Sequence, residues 1–167
     1  LFFQELELLE IRLKYLYPIV DKFIIVESNQ CFTGKTKNYN FEHNIKRYSK
    51  YLDKIIYHKI KETHYNYDSL KEYLKSFGDR DKVLLMIAKF LEEHNYYDKN
   101  NLSHILDSYQ RECIHIPLLD YCGDNDLVII SDLDEIPRFS LIKNIKRFGF
   151  FDQPKRLIQH EFQFFLN

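Results

Sequence analysis

The run Lys22-Phe23-Ile24-Ile25-Val26-Glu27 decides how the chain folds. It is a short, continuous apolar stretch between charged residues, the pattern of a strand buried on both faces of a parallel sheet. On its amino side, residues 5–16 read as a helix. Leu6, Leu9, Leu13 and Leu16 recur at helical spacing, while Glu5, Glu7, Glu10, Arg12 and Lys14 fill the other faces. Pro18 closes that helix. On the carboxyl side, residues 28–40 are polar, hold Gly34 and read as a loop. A helix over 41–52 and a second strand, Lys54-Ile55-Ile56-Tyr57-His58, follow. Helix, strand, helix, strand is the order of an α/β layer architecture with a mostly parallel sheet flanked by helices. Its crossovers are expected to be right-handed.

Further along, residues 62–101 are the least regular part. Asp68 is expected to cap a helix carrying Leu70, Tyr73, Leu74 and Phe77, with Gly78 as its stop. Residues 82–94 form a second helix, and 94–101 read as a mobile polar loop. Residues 102–116 read as one helix with Ile105, Tyr109, Cys113 and Ile116 on a face, ended or kinked by Pro117. Asp126-Leu127-Val128-Ile129-Ile130-Ser131 is the strongest strand pattern of the chain. A helix over 140–148, stopped by Gly149, and a last strand over 157–165 complete the reading. Neither repeats nor a low-complexity linker interrupt it. Residues 1–167 are therefore expected to form a single domain, trimmed at both ends.

Composition bounds the function. Apolar residues make up 45% and charged residues 29%, as in ordinary globular domains. Lys plus Arg number 24 against 25 for Asp plus Glu, so the basic excess of a nucleic-acid binder is lacking. Three widely spaced cysteines, Cys31, Cys113 and Cys122, give neither a disulfide framework nor a CxxC metal site. There is no apolar run long enough for a membrane span and no recognisable signal peptide.

The sharpest chemical feature is Ser131-Asp132-Leu133-Asp134-Glu135, at the carboxyl end of the apolar run over 126–131. In open α/β sheets ligands bind beyond the carboxyl ends of strands. Clustered carboxylates repel one another, and a hard divalent cation such as Mn²⁺ or Mg²⁺ removes that cost. In extended backbone, Asp132 and Asp134 project to one side and Leu133 to the other, so the two carboxylates can share one ion. The bland alternative is a solvated acidic turn, because Asp-x-Asp alone is a common tripeptide.

Several blocks together resemble glycosyltransferase family 17, which includes the bisecting β-1,4-mannosyl-glycoprotein N-acetylglucosaminyltransferase. They are Glu5-Leu6-Glu7-Leu8-Leu9-Glu10-Ile11-Arg12-Leu13, then residues 20–28 with Phe32-Thr33-Gly34-Lys35, then Leu52-Asp53-Lys54-Ile55-Ile56. The fourth is Gln110-Arg111 followed by residues 126–138. The chain departs from the family in a longer 62–101 segment and in Pro117. The resemblance implies a GT-A type, Rossmann-like fold, a UDP-sugar donor, a metal ion and inversion at the anomeric carbon. It implies N-acetylglucosamine as the transferred sugar and a glycan or other hydroxyl as acceptor. Localisation would be cytoplasmic for a bacterial or viral protein, and the Golgi lumen for a eukaryotic one with its anchor removed.

Roles follow, each beside its alternative. Asp134 is the main metal ligand, with Asp132 reaching the metal or the ribose. Glu135 either orients the cluster or caps the next helix. Glu27 accepts hydrogen bonds from the nucleotide, or is a solvated strand end. Arg111 binds the donor diphosphate, or pairs with Asp107 one turn away. Lys35 lies in a loop that closes over the donor or is a plain surface turn. Arg12 is a donor contact or a solvated helix charge. Asp152 and Glu161 are candidates for the general base that an inverting transferase needs. Two rival readings are another carboxylate–metal nucleotide enzyme, such as a nucleotidyltransferase or phosphohydrolase, and an inactive UDP- or sugar-binding domain of the same fold.

Overall fold

The computed structural model describes residues 2–78, 81–94, 97–149 and 156. Helix α1 (Leu6–Leu16) leads into strand β1 (Phe23–Ser28). A short helix α2 (Asn40–His43) and a 3-10 helix (Ile45–Lys54) then lead into strand β2 (Ile55–Ile60). Helices α3 (Tyr67–Ser76), α4 (Lys82–Glu93), α5 (Leu102–Glu112), α6 (His115–Tyr121) and α7 (Phe139–Phe148) follow. The strands pair in parallel, from Phe23 opposite Ile55 to Ser28 opposite Ile60.

Alternation along β1 explains the layering. Ile24 and Val26 pack on one face with Ile60, against Leu70, Leu74, Leu84, Ile87 and Ile105 of α3, α4 and α5. Phe23 and Ile25 pack on the other with Ile55 and Tyr57, against Leu9, Leu13, Phe41 and Tyr48. Both faces are covered, so the apolar run needs no polar alternation. The α/β class holds. Among the described residues the sheet is this parallel pair alone.

Three expectations are corrected. Residues 126–131 join no sheet, and Leu127, Val128 and Ile130 stand 45%, 42% and 63% exposed. A strand needs a partner edge, and among the described residues neither β1 nor β2 pairs with this run; at β1, Phe2 N–H donates to the Val26 carbonyl at 3.0 Å. The run is tethered at its ends instead. Asp126 closes a turn with Gly123, and Ser131 is held by Arg12. Second, the helix expected over 102–116 breaks at Cys113, ahead of Pro117, which sits in the first turn of α6. There its missing N–H leaves no bond unmade. Third, Asn66 rather than Asp68 caps α3, its side chain accepting from Ser69 N–H at 2.8 Å. The strand expected over 157–165 lies outside the described residues.

The carboxylate of Glu27 is fully buried. Its Oε1 accepts from Lys37 Nζ at 2.8 Å and Asn40 N–H at 2.6 Å. Its Oε2 accepts from Phe41 N–H at 3.1 Å and Tyr57 hydroxyl at 2.8 Å. Four donors saturate it, so it fastens the start of α2 to the sheet and does not face a nucleotide. Replacing Glu27 by Ala strands Lys37 and two amides, a loss of roughly 3–5 kcal/mol. Glu27→Gln keeps the shape and should lose less. Urea denaturation of both variants checks this, and an Ala variant as stable as the parent would refute the anchoring role.

Two imidazoles make stability depend on pH. Burial lowers the pKa of His64, against a weaker opposing pull from Glu62. His64 packs against the rings of Tyr73 and Tyr109, with its Nε2 unpartnered among the described residues. Burial likewise lowers His58, opposed by Asp120 and Glu62. Burial favours the neutral form of both in the fold, whereas the unfolded chain takes up protons near pH ~6.5. Their contribution is whole above that pH and is lost as pH falls towards the depressed folded values. Urea midpoints should therefore drop between about pH 7.5 and pH 5.5. A flat or rising midpoint would mean solvated imidazoles.

Candidate functional site

A cleft of about 280 Å³ gathers Arg111, Asp132 and Asp134. Phe3, Leu8 and Phe32 supply apolar wall, and Glu5 stands at the rim. Arg111 reaches the site from the last turn of α5. Its Nη1 donates to Asp132 Oδ1 and its Nε to Asp107 Oδ1, both at 2.9 Å. The helix pairing read from sequence is present, and the same side chain also reaches Asp132. The side chain is half exposed and free to exchange one carboxylate for another anion.

The acidic turn is built from inside. Leu133 packs against the cluster containing Leu9, Leu13 and Phe41 and lines the cleft between Asp132 and Asp134. Glu135 Oε2 accepts from Asp132 N–H at 3.1 Å, so Glu135 orients the turn. It does not cap α7, whose N-cap is Arg138.

Arg12 lies beneath this turn. Its Nη1 donates to the carbonyls of Asp132 at 2.6 Å, Leu133 at 3.1 Å and Glu135 at 3.3 Å. Its Nη2 donates to Ser131 Oγ at 2.5 Å. Burial lowers its pKa, and the nearby carboxylates of Glu135, Asp132 and Asp134 oppose that. A guanidinium stays charged through such a shift. Arg12 is therefore neither a solvated helix charge nor free to hold a donor with those two nitrogens: it positions the turn.

Of the other expected residues, Glu27 is buried away from the cleft, and Lys35 is exposed and lines neither face of it. Asp152 and Glu161 lie outside the described residues. Among the described residues no group of three or more His, Cys, Asp or Glu side chains is arranged to hold a metal. Two carboxylates still fit Mn²⁺ or Mg²⁺, because such ions complete their shell with substrate phosphates and water.

Sequence reasoning missed Gln30, Lys37 and Phe3. Gln30 is buried, and its Nε2 donates to the carbonyls of Gly34 at 3.0 Å and His64 at 2.9 Å. Its Oε1 accepts from His64 N–H, and its own carbonyl accepts from Gln110 Nε2. Gln110 thereby aligns α5, and Arg111 with it, on the end of β1. The signal for Lys37 was chemical: a carboxylate ending a fully buried strand needs a cation nearby.

No helix among the described residues is long and apolar enough to cross a membrane. No curated protein and no solved structure gives a significant match to the chain. A family model does, that of Glycosyltransferase family 17, over residues 1–96. The matched part runs from α1 to α4 and includes Arg12, both strands and the first three blocks read above. Arg111 and the acidic turn lie beyond it, joined to it by the Gln30–Gln110 contact and by the Arg12 fork. With more than half its length matched, the chain belongs to glycosyltransferase family 17.

Proposed function

We propose that the chain is an inverting transferase that takes N-acetylglucosamine from a UDP-sugar and passes it to a glycan hydroxyl. Family membership makes it a transferase with a sugar donor and a glycan acceptor. The donor, the metal and the sugar are the proposal. The observation that carries it is the meeting of Arg111, Asp132 and Asp134 in one cleft across 21 residues of sequence, with Arg12 fixing the turn between them.

Charge supports a metal-dependent donor. Among the described residues the cleft lining sets Arg111 against the carboxylates of Glu5, Asp132 and Asp134, with the Arg12 guanidinium beneath the turn offsetting only part of the excess. A diphosphate entering alone would meet net repulsion. Asp134, with Asp132, would hold Mn²⁺ or Mg²⁺, and the bound ion would supply Lewis-acid neutralisation of the departing diphosphate. Arg111 would release Asp132 and turn its fork on the phosphate oxygens. Phe3 and Phe32 offer flat apolar walls for a base or sugar ring.

Calorimetric titration of UDP and UDP-N-acetylglucosamine, with Mn²⁺ and then with EDTA, tests this directly. Binding should need the metal, and Asp134→Ala should weaken it by at least about 10–100-fold without moving the melting temperature. Unchanged affinity in the variant would remove Asp134 from the site.

Arg12→Lys separates positioning from direct donor contact. Lysine keeps the charge but cannot fork to three carbonyls and a hydroxyl. Donor affinity should fall by about 10–100-fold. Stability should fall with it by roughly 1–3 kcal/mol, since turn carbonyls lose their donors. Lowered affinity with an unchanged urea midpoint would instead make Arg12 a donor contact.

A further inference from the structure

A second cleft, of about 290 Å³, opens beside the first. Its lining includes Tyr65, Asn66, Tyr67 and Asp68 from the start of α3, and Lys99 and Asn100 from the approach to α5. A small hairpin separates the two. It carries an antiparallel bridge between Gln30 and Thr36, and Gly34 N–H closes its turn on the Cys31 carbonyl at 2.9 Å. Phe32 of this hairpin lines the charged cleft. Gly34, at φ +86°, packs against Leu102, which lines the second cleft.

The chemistry of the second cleft narrows its ligand. Asp68 and Lys99 balance in charge. Lys99 Nζ is already engaged, donating to the Glu92 carbonyl at 2.6 Å and lying 5.2 Å from the centre of the Tyr67 ring. Two helices begin here, yet both starts are capped from within: Asn66 accepts from Ser69 N–H, and Asn101 from Ser103 N–H. Each cap takes one first-turn amide, and the exposed Asp68 carboxylate at the start of α3 disfavours an anion there. The lining thus offers aromatic surface beside a carboxylate and amide groups, acceptors and donors suited to hydroxyls. The Tyr65 ring is 61% exposed. Its backbone is nevertheless held, since the preceding His64 is clamped at both N–H and carbonyl by buried Gln30. An exposed aromatic face on a fixed backbone suits a ring with one apolar face and hydroxyls around its edge. The volume lies at the lower end of the ~300–1,000 Å³ common for small-ligand clefts, enough for a single ring.

We propose that this cleft binds one uncharged sugar residue of the acceptor glycan, with Tyr65 as its stacking platform. Sugar binding here stands on the cleft alone, while its naming as acceptor rests on the transferase reading. Saturation-transfer NMR on the whole chain tests it, without donor or metal, using methyl glycosides of mannose, galactose, glucose and N-acetylglucosamine. A parallel sample receives UDP with Mn²⁺. At least one glycoside should bind, about tenfold more weakly to Tyr65→Ala and nearly as well to Tyr65→Phe, with melting temperatures unchanged. Glycoside binding unaffected by Tyr65→Ala would overturn the proposal. So would the absence of glycoside binding in a protein that binds UDP. Glycoside binding that Tyr65→Ala weakens, in a protein that ignores UDP, would keep the sugar cleft and sink the donor reading. Binding of neither would overturn both.

Discussion

Buried polar chemistry at the carboxyl end of β1 is the constraint on which the rest of this molecule depends. A strand covered on both faces ends in Glu27, Ser28 and Gln30, all almost fully buried. Each such group costs free energy unless its hydrogen bonds are made inside. Glu27 collects four donors from the loop, from α2 and from β2, which fixes how the chain leaves the strand. Gln30 uses its amide and its carbonyl to join three distant segments: the hairpin at Gly34, the backbone at His64 and α5 at Gln110. The geometry of both clefts follows from these two side chains. Neither side chain lines either cleft.

The acidic turn shows a different way to fix a loop. Where a strand feeds such a turn, the sheet ladder sets its position. Here residues 126–131 lack a ladder, and a single guanidinium substitutes for it by gathering three carbonyls and a hydroxyl at the far side of α1. Those acceptors are main-chain carbonyls and a serine, so Asp132 and Asp134 keep their carboxylates for the cleft. Three nearby carboxylates offset the cost of burying Arg12, and the arginine in turn lowers the repulsion among them. The positioning charge and the acidic cluster stabilise each other.

How far the sequence could reveal this depends on the range of the forces involved. Helices α1, α3, α4 and α7 were legible because apolar side chains repeat locally at helical spacing. Strands β1 and β2 were legible because unbroken apolar runs have few other uses. Residues 126–131 have the same local pattern as β1 and a different fate, since strand formation depends on pairing with an edge supplied elsewhere. Arg12 and Glu27, read as nucleotide or donor contacts, bind the protein's own backbone and side chains instead. Periodicity gives the face of a helix or strand, but whether a polar head finds ligand or backbone is decided by contacts as far as 120 residues apart. Asp132, Asp134 and Arg111 were legible as a group because carboxylates and a guanidinium at the ends of elements have few structural reasons to gather.

Electrostatics gives the two clefts different work. The first carries more carboxylates than cations, with Arg111 at its wall and Arg12 beneath the turn offsetting part of the excess. The second pairs one carboxylate, Asp68, with one ammonium, Lys99, in its lining. A transferase must bind an anionic donor and an uncharged acceptor side by side without confusing them. On the proposed reading, charge would sort the two before shape does. The hairpin between the clefts is thin: Phe32 lines one, and Gly34 lies against Leu102 of the other. Gly34 allows that thinness: at φ +86° it turns the chain where a side chain would be strained, and a Cβ there would come within 2.7 Å of Leu102.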